Sequence, residues 1–293
     1  MDINSQKVMD CLRNGSIGHT IIHYTALPST MITAKELAVS SQIRSGTIVL
    51  AEEQTAGRGR LQREWMTPMG AALLMTVILK PPHLRDALSL HLLPMVLGVA
   101  LADSLEATVP ALCGQVMLKW PNDILIGNIS SEKQGKVAGL LIETIYQDTL
   151  AYALLGIGLN VNQTQEELPS TPVGKPQPTS IRGAVGHPVE REMLLKNFCQ
   201  HLEKWLVGPF VDSHKSMPTH SNNRGTDVIY QAWRDRLCTL GQSVMFSSSD
   251  SEDAPTHSGI VIDVTPAGSL VIQDSDGQCH TFTAGDVTLR KHV

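Results

Sequence analysis

Between Thr47 and Asn162 the chain passes through five short apolar segments, each set off by glycine, proline or charged residues. They read TIVLAEE (47–53), ALLMTVILK (72–80), VMLKW (116–120), KVAGLLIETIY (136–146) and LAYALLGIGLNVN (150–162). Their length and β-branched content specify strands, so a sheet dominates whatever core forms. In the segment from Lys136 both alternating faces are apolar, with Val137, Leu141 and Ile145 opposed to Ala138, Leu140 and Ile142. Such a strand needs cover on its faces, and helices supply it. Residues 29–41 place Met31, Ala34, Leu37 and Ala38 on one stripe, with Pro28 and Ser29 as a start signal. Helical periodicity also runs over 84–108, where Pro94 marks a kink or a helix start, and over 190–207 and 227–239. Residues 162–189 and 211–226 are rich in proline and polar residues and are expected to be loops.

After Leu240 the pattern changes to short strands parted by turn residues: QSVMF, GIVIDV, SLVIQD, CHTFTA and DVTLR. The expected division is a large α+β unit over 1–240, a mixed sheet covered by helices, and a small all-β unit over 241–293. So short a segment buries too little surface for much stability alone, and is expected to pack on the large unit.

The formal charge of -5 is the sum of 23 basic and 28 acidic residues. Residues 241–293 carry 2 of the basic and 7 of the acidic ones, leaving 21 of each in 1–240. Neither part has the basic face that nucleic acid requires, so no DNA partner is expected. The five cysteines, Cys11, Cys113, Cys199, Cys238 and Cys279, are scattered, odd in number and without a CxxC pair. That excludes a disulfide framework and a zinc site, and points to a reducing, cytoplasmic setting. The longest apolar run, Leu92 to Ala102, contains Pro94 and Gly98 and falls short of the ~20 residues needed to span a bilayer, so no membrane partner is expected. The N-terminal MDINSQKVMD is acidic and lacks a secretory pattern.

Four segments carry candidate chemistry. In Gln54-Thr55-Ala56-Gly57-Arg58-Gly59-Arg60, two arginines alternate with glycines directly after a strand, so guanidinium groups and bare N–H groups can converge on one anion. A mobile surface loop or an RGG-like nucleic-acid contact is the competing reading. Lys119-Trp120-Pro121-Asn122-Asp123 joins two strands and brackets its turn with opposite charges, as an ordinary hairpin also would. In Gly135-Lys136-Val137-Ala138-Gly139 a lysine enters an apolar strand, where it needs an anionic partner or serves as a sheet-edge charge. Gly156-Ile157-Gly158-Leu159-Asn160-Val161-Asn162 ends a strand with glycines that mark close approach of a ligand or another backbone, or a bulge. The pair His19 and His23 lies in an extended segment and is read as structural, and no side-chain cluster has metal-ligand spacing. Neither a GxSxG elbow, an HExxH helix nor a GxxxxGK[ST] loop is present.

Taken in order, QTAGRGR, KWPND, GKVAGLLIE and GIGLNVN, followed by GIVIDVTPAGSLVIQD and FTAGDVTLR, resemble the biotin protein ligase (holocarboxylase synthetase) family from about Ile22 to Arg290. The resemblance implies a catalytic domain related to class II aminoacyl-tRNA synthetases and a C-terminal SH3-like β-barrel. It implies that Ser29, Thr30, Gln54, Arg58, Gly59, Arg60 and Lys136 line a biotin site, with Gly57 and Gly139 in the same binding region. Trp65, Lys119, Asn122 and Asn160 would lie towards ATP, with Trp65 as a stacking surface for adenine. Two positions depart from the family pattern: Met31 stands where asparagine often follows Ser-Thr, and Gln62 where a glycine often follows Leu61.

The implied reaction joins biotin to ATP as biotinyl-AMP, then passes biotin to a lysine of a carboxylase's carrier domain. Arg58, Arg60, Lys119 and Lys136, helped by Mg²⁺, would offset the repulsion between the two anions. The glycine-arginine loop would fold over the labile product. A homodimer is an allowed assembly. Three competing readings are a lipoate protein ligase, a biotin-responsive DNA repressor, for which about 20 residues ahead of the first strand are too few for a winged helix, and a non-catalytic binding protein.

Overall fold

The structure is a computed structural model, and it describes residues 2–80, 90–127, 134–147, 149–171, 176–211, 223–247, 257–283 and 288–291. The large unit contains α1 (Ser5–Leu12), β1 (Ile21–Leu27), α2 (Thr30–Ala38), β2 (Thr47–Gln54), β3 (Ala72–Leu79) and α3 (Leu93–Thr108). It continues with β4 (Val116–Lys119), β5 (Asp123–Ile126), β6 (Gly135–Gln147), β7 (Thr149–Asn160), β8 (Gln177–Pro178), α4 (Ile181–Val185), α5 (Arg191–Val211) and α6 (Asn223–Arg234). The strands form one sheet in the order β1-β2-β3-β7-β6-β5-β4, with β8 beside β6. Two pairings are parallel, β1 with β2 and β6 with β8, and the rest are antiparallel. The sheet is therefore mixed, as expected, and α2 supplies the crossover that a parallel β1–β2 pair requires.

Period-two alternation sorts the two faces. On β2, Ile48 and Leu50 join the large core with α3 and α5, while Val49 and Ala51 face α2 with Leu154 and Tyr152. All eight residues of β3 are buried, since both faces are covered. Pro94 lies in the first turn of α3, so it starts the helix and does not kink it. Residues 81–89, the opening of the expected 84–108 helix, lie outside the described residues. The segment Leu90–Thr108 is apolar enough by composition to cross a membrane, yet 67% of it is buried inside the fold, where it serves as the central core helix.

Some expectations are corrected, and one helix is added. The segment 162–189 is not all loop, because β8 pairs with β6 and α4 forms behind a Ser180 cap, closed by left-handed Gly186. The helix expected over 227–239 stops at Arg234, because Leu118 and the 236–238 segment exchange backbone hydrogen bonds of 2.9 Å beside β4. Helix α1 was not anticipated; Asn4 caps it and Val8 and Leu12 anchor it. The 211–226 segment, expected to be loop, is helical at both described ends, in α5 at Val211 and in α6 from Asn223, and 212–222 lie outside the described residues.

The C-terminal strands β9 (Ser243–Ser247), β10 (His257–Val264), β11 (Leu270–Asp274), β12 (Cys279–Phe282) and β13 (Thr288–Lys291) form an antiparallel sheet in the order β12-β11-β10-β9-β13. Val244, Phe246, Val261, Val264, Leu270 and Ile272 belong to the same core as the large sheet. Trp120 donates to the Gly268 carbonyl at 3.0 Å and Tyr230 to that of Val264 at 2.7 Å. Residues 284–287, part of the AGDVTLR segment, lie outside the described residues.

Candidate ligand-binding site

A cavity of about 320 Å³ opens on the face of the sheet that carries α2, over the ends of β6 and β7. Its floor is set by glycines in register: Gly139 on β6 opposes Gly158 on β7, and Leu141 opposes Gly156. A side chain at Gly158 would come within 2.6 Å of the Trp65 indole, and one at Gly156 within 2.7 Å of the Met31 sulfur. Bare backbone therefore makes the room that the Trp65 ring and the Met31 thioether share. Trp65 is half-buried and its Nε1 has no partner among the described residues.

Polar groups gather around this floor. At one end, Thr30 at the start of α2 donates from N and Oγ1 to Gln54 Oε1 at 2.7 and 3.0 Å, and Thr76 donates to the Thr30 hydroxyl at 2.9 Å. Ser29 and Thr30 are themselves buried. At the other end, Asn122 in the β4–β5 turn holds the Leu140 carbonyl at 2.9 Å and accepts from Arg60 at 3.3 Å. Lys136 lies 2.6 Å from Asp123, 5.5 Å above the Trp65 ring and 28% exposed. The anionic partner that a lysine on an apolar strand requires is thus the Asp123 carboxylate at the start of the adjacent strand β5.

The segment 55–71 forms a flap over the cavity. Gly59 N donates to Arg63 O at 2.8 Å and Trp65 N to Gly57 O at 3.0 Å, and Arg58 pairs with Glu64 at 3.6 Å. Gly57 is required by that turn, since a Cβ there would lie 2.4 Å from the Trp65 carbonyl. At the flap's tip Leu61 and Gln62 both adopt left-handed backbone, with φ of 56° and 57°. Left-handed backbone favours glycine, which gives the Gln62 departure a physical meaning.

Of the residues singled out in the sequence, Ser29, Thr30, Gln54, Arg58, Gly59, Arg60, Trp65, Lys119, Asn122, Lys136, Gly139 and Asn160 all line this cavity. Gly57 does not, and shapes the flap from behind. Asn160 reaches the cavity wall with its amide engaged on both sides, donating to Thr179 O at 3.0 Å and accepting from Gln163 at 2.9 Å. Lys119 ends β4, and its charge opposes the burial that pushes the Cys238 thiol up to about 11. Sequence reasoning missed the wall formed by Pro169, Thr171, Pro176 and Pro178. Its one signal was the proline content of a segment expected to be loop. His23 sits in β1 and bonds Glu52 at 2.9 Å, a structural placement. Among the described residues no three His, Cys, Asp or Glu side chains group as a metal site.

Fold and cavity together define a class: an α+β domain whose mixed sheet carries a cation-rich small-molecule site beneath a glycine-arginine flap. Residues 24–160 match the sequence profile of the Biotin/lipoate A/B protein ligase family. A bifunctional ligase/repressor BirA of Bacillus spizizenii is 34% identical over 93% of this chain and 75% of its own length. A biotin–[acetyl-CoA-carboxylase] ligase of Paracoccus denitrificans is 30% identical over 84% of this chain and 91% of its own. The structure of a biotin protein ligase from Aquifex aeolicus in complex with biotin and ATP superimposes with a TM-score of 0.63 at 25% identity, covering 93% of this chain and 99% of that one. The chain belongs to this family, and within it to the biotin protein ligases.

Proposed function

We propose that the chain activates biotin with ATP to biotinyl-5'-AMP and transfers the biotinyl group to the ε-amine of a lysine in a carboxylase's biotin carboxyl carrier domain. One observation carries the reading. Arg58 and Arg60 from the flap, Lys119 from β4 and Lys136 from β6 all line a single cavity of about 320 Å³. In the first step a biotin carboxylate oxygen attacks the α-phosphorus of ATP, the bond to the β-phosphate oxygen breaks, and pyrophosphate leaves. Both reactants are anions, and cations fixed beforehand stabilise the charge that gathers at phosphorus without reorganising. In the second step the lysine amine adds to the acyl carbon and loses a proton as AMP departs.

Biotin is assigned to the end built by Ser29, Thr30, Gln54, Arg58, Arg60 and Lys136, and the nucleotide to the side of Trp65, Lys119, Asn122 and Asn160. With its amide already engaged, Asn160 serves mainly to hold the wall. Mg²⁺ enters with the nucleotide as substrate, bound chiefly by phosphate oxygens and water. Asp123 and Glu64 are carboxylates on the cavity wall, paired here with Lys136 and Arg58, and would hold the ion through its water shell. The C-terminal sheet is read as the family's SH3-like domain, with the boundary near residue 240, and a homodimer as an assembly the chain can form. Five cysteines outside any disulfide suit work in the cytoplasm, and the balanced charge of 1–240 suits a ligase that leaves DNA alone.

Incubation with biotin, ATP, Mg²⁺ and a carrier domain should add one biotinyl mass to the carrier, read by intact mass spectrometry. Pyrophosphate release with lipoate equal to that with biotin would transfer the reading to a lipoate ligase.

A further inference from the structure

The flap's two stems are tied together from outside the cavity. The antiparallel pairing of β2 with β3 ends at Ala51 and Leu74, and beyond it the strands part to admit the flap. Arg191, the first residue of α5, crosses that fork. Its Nη1 donates to Glu52 Oε2 on one stem at 2.6 Å and to the Ala72 carbonyl on the other at 2.9 Å. Both side chains are almost wholly buried, at 4% and 1% exposure. The second carboxylate oxygen of Glu52 takes the Ile3 N–H at 2.8 Å and faces His23 Nε2 at 2.9 Å, and the Glu52 carbonyl takes the Gly70 N–H at 3.1 Å. Neither Glu52 nor Arg191 lines the cavity.

A buried ion pair is a poor stabilising device, because desolvating both charges offsets most of their attraction, and apolar side chains of equal volume do as well. What Arg191 adds is a bridge with direction, since one nitrogen, Nη1, donates to both stems at once. Here that direction fixes the spacing of the stems from which Gln54, Arg58 and Arg60 project.

We propose that Arg191 and Glu52 are positioning residues that hold the flap closed over the acyl-adenylate and keep water from its acyl carbon. The inference rests on the function proposed above. With the fork loosened, water adds to the acyl carbon in place of the lysine amine, and AMP and free biotin leave. Adenylate formation then continues while transfer to the carrier fails.

The test compares wild type, E52Q and R191K as full chains, with biotin, MgATP and a carrier domain. It counts pyrophosphate released per carrier biotinylated, a ratio that does not depend on the fraction of enzyme folded. Wild type should stay near one pyrophosphate per biotin transferred. Each variant should raise the ratio on the order of tenfold, because the acyl carbon is left open to water. R191K, which keeps the charge but not the reach and planar geometry of the guanidinium that bridges the stems, should leak more than E52Q. A ratio unchanged in both variants overturns the inference. Wild type releasing no biotin-dependent pyrophosphate overturns the proposed function instead, so the two failures are distinct.

Discussion

On the cavity floor Lys136 is held at 2.6 Å by Asp123 within a paired strand, whereas on the flap Arg58 and Arg60 meet Glu64 and Asn122 at only 3.6 and 3.3 Å. The floor's backbone is locked on both sides, with β6 laddered to β5 and β7. The flap leans on a few turn contacts and carries two left-handed non-glycine residues at its tip. Similar charges are thus presented on backbones of different stiffness. A fixed cation can define where the reacting phosphorus must sit, and loosely held ones can let substrates in before closing on them. Segments drawn from the less stable end of a structure are the ones that move.

The largest effect is expected at the base of the flap. Glu52→Ala takes from the buried Arg191 guanidinium its carboxylate and should cost about 3–5 kcal/mol of stability in denaturant unfolding. Burial raises the Glu52 carboxyl, but the Ile3 N–H, Arg191 and His23 outweigh it and hold the group below its ordinary 4.5. Its contribution is therefore complete above that pH and lost as pH falls through the lower folded value. Glu52→Gln should flatten the acid limb of the stability curve, and an unchanged limb would show that another group controls it.

The floor comes next. Lys136→Ala should lower biotin-dependent pyrophosphate release by roughly 10²–10³, with the melting temperature nearly unchanged. Wild-type turnover in that variant would remove Lys136 from the chemistry. Gly158→Ala forces a methyl group against the Trp65 indole and should cost about 1–3 kcal/mol in biotin or nucleotide binding, followed by calorimetry and tryptophan fluorescence. The flap gives the smallest effect. Gln62→Gly removes the left-handed penalty of a side chain and should stabilise by about 0.5–1 kcal/mol at most, since glycine also loses more entropy on folding. Biotin with ATP should also slow tryptic cleavage at Arg58 and Arg60, and equal rates with and without ligand would mean that the flap does not close.

Several of these features were legible before any coordinates. Five of the eight strands of the large sheet, β2, β3, β4, β6 and β7, are where short β-branched runs place them, because period-two burial writes itself directly into residue order. Pro94 announced a kink or a helix start, and the Lys136 charge an anionic partner or a sheet-edge charge, without deciding between them. Other features left little local trace. Helix α1 is short and gains its stability from Val8 and Leu12 packing on the core, and α4 is a single turn in a segment dominated by proline. The Arg191–Glu52 fork joins residues 139 apart in the chain, and nothing near either one signals the other.

What residue order alone determined is the inventory: strands from hydrophobic alternation, a hinge from glycine and arginine in alternation, and a set of cations too costly to bury without anions. What only the tertiary structure decided is convergence. Lys136 came to face Asp123, Pro169, Pro176 and Pro178 became a cavity wall, and helix α5 delivered Arg191 to the fork, because long-range packing of the sheet against its helices sets distances that no local propensity encodes.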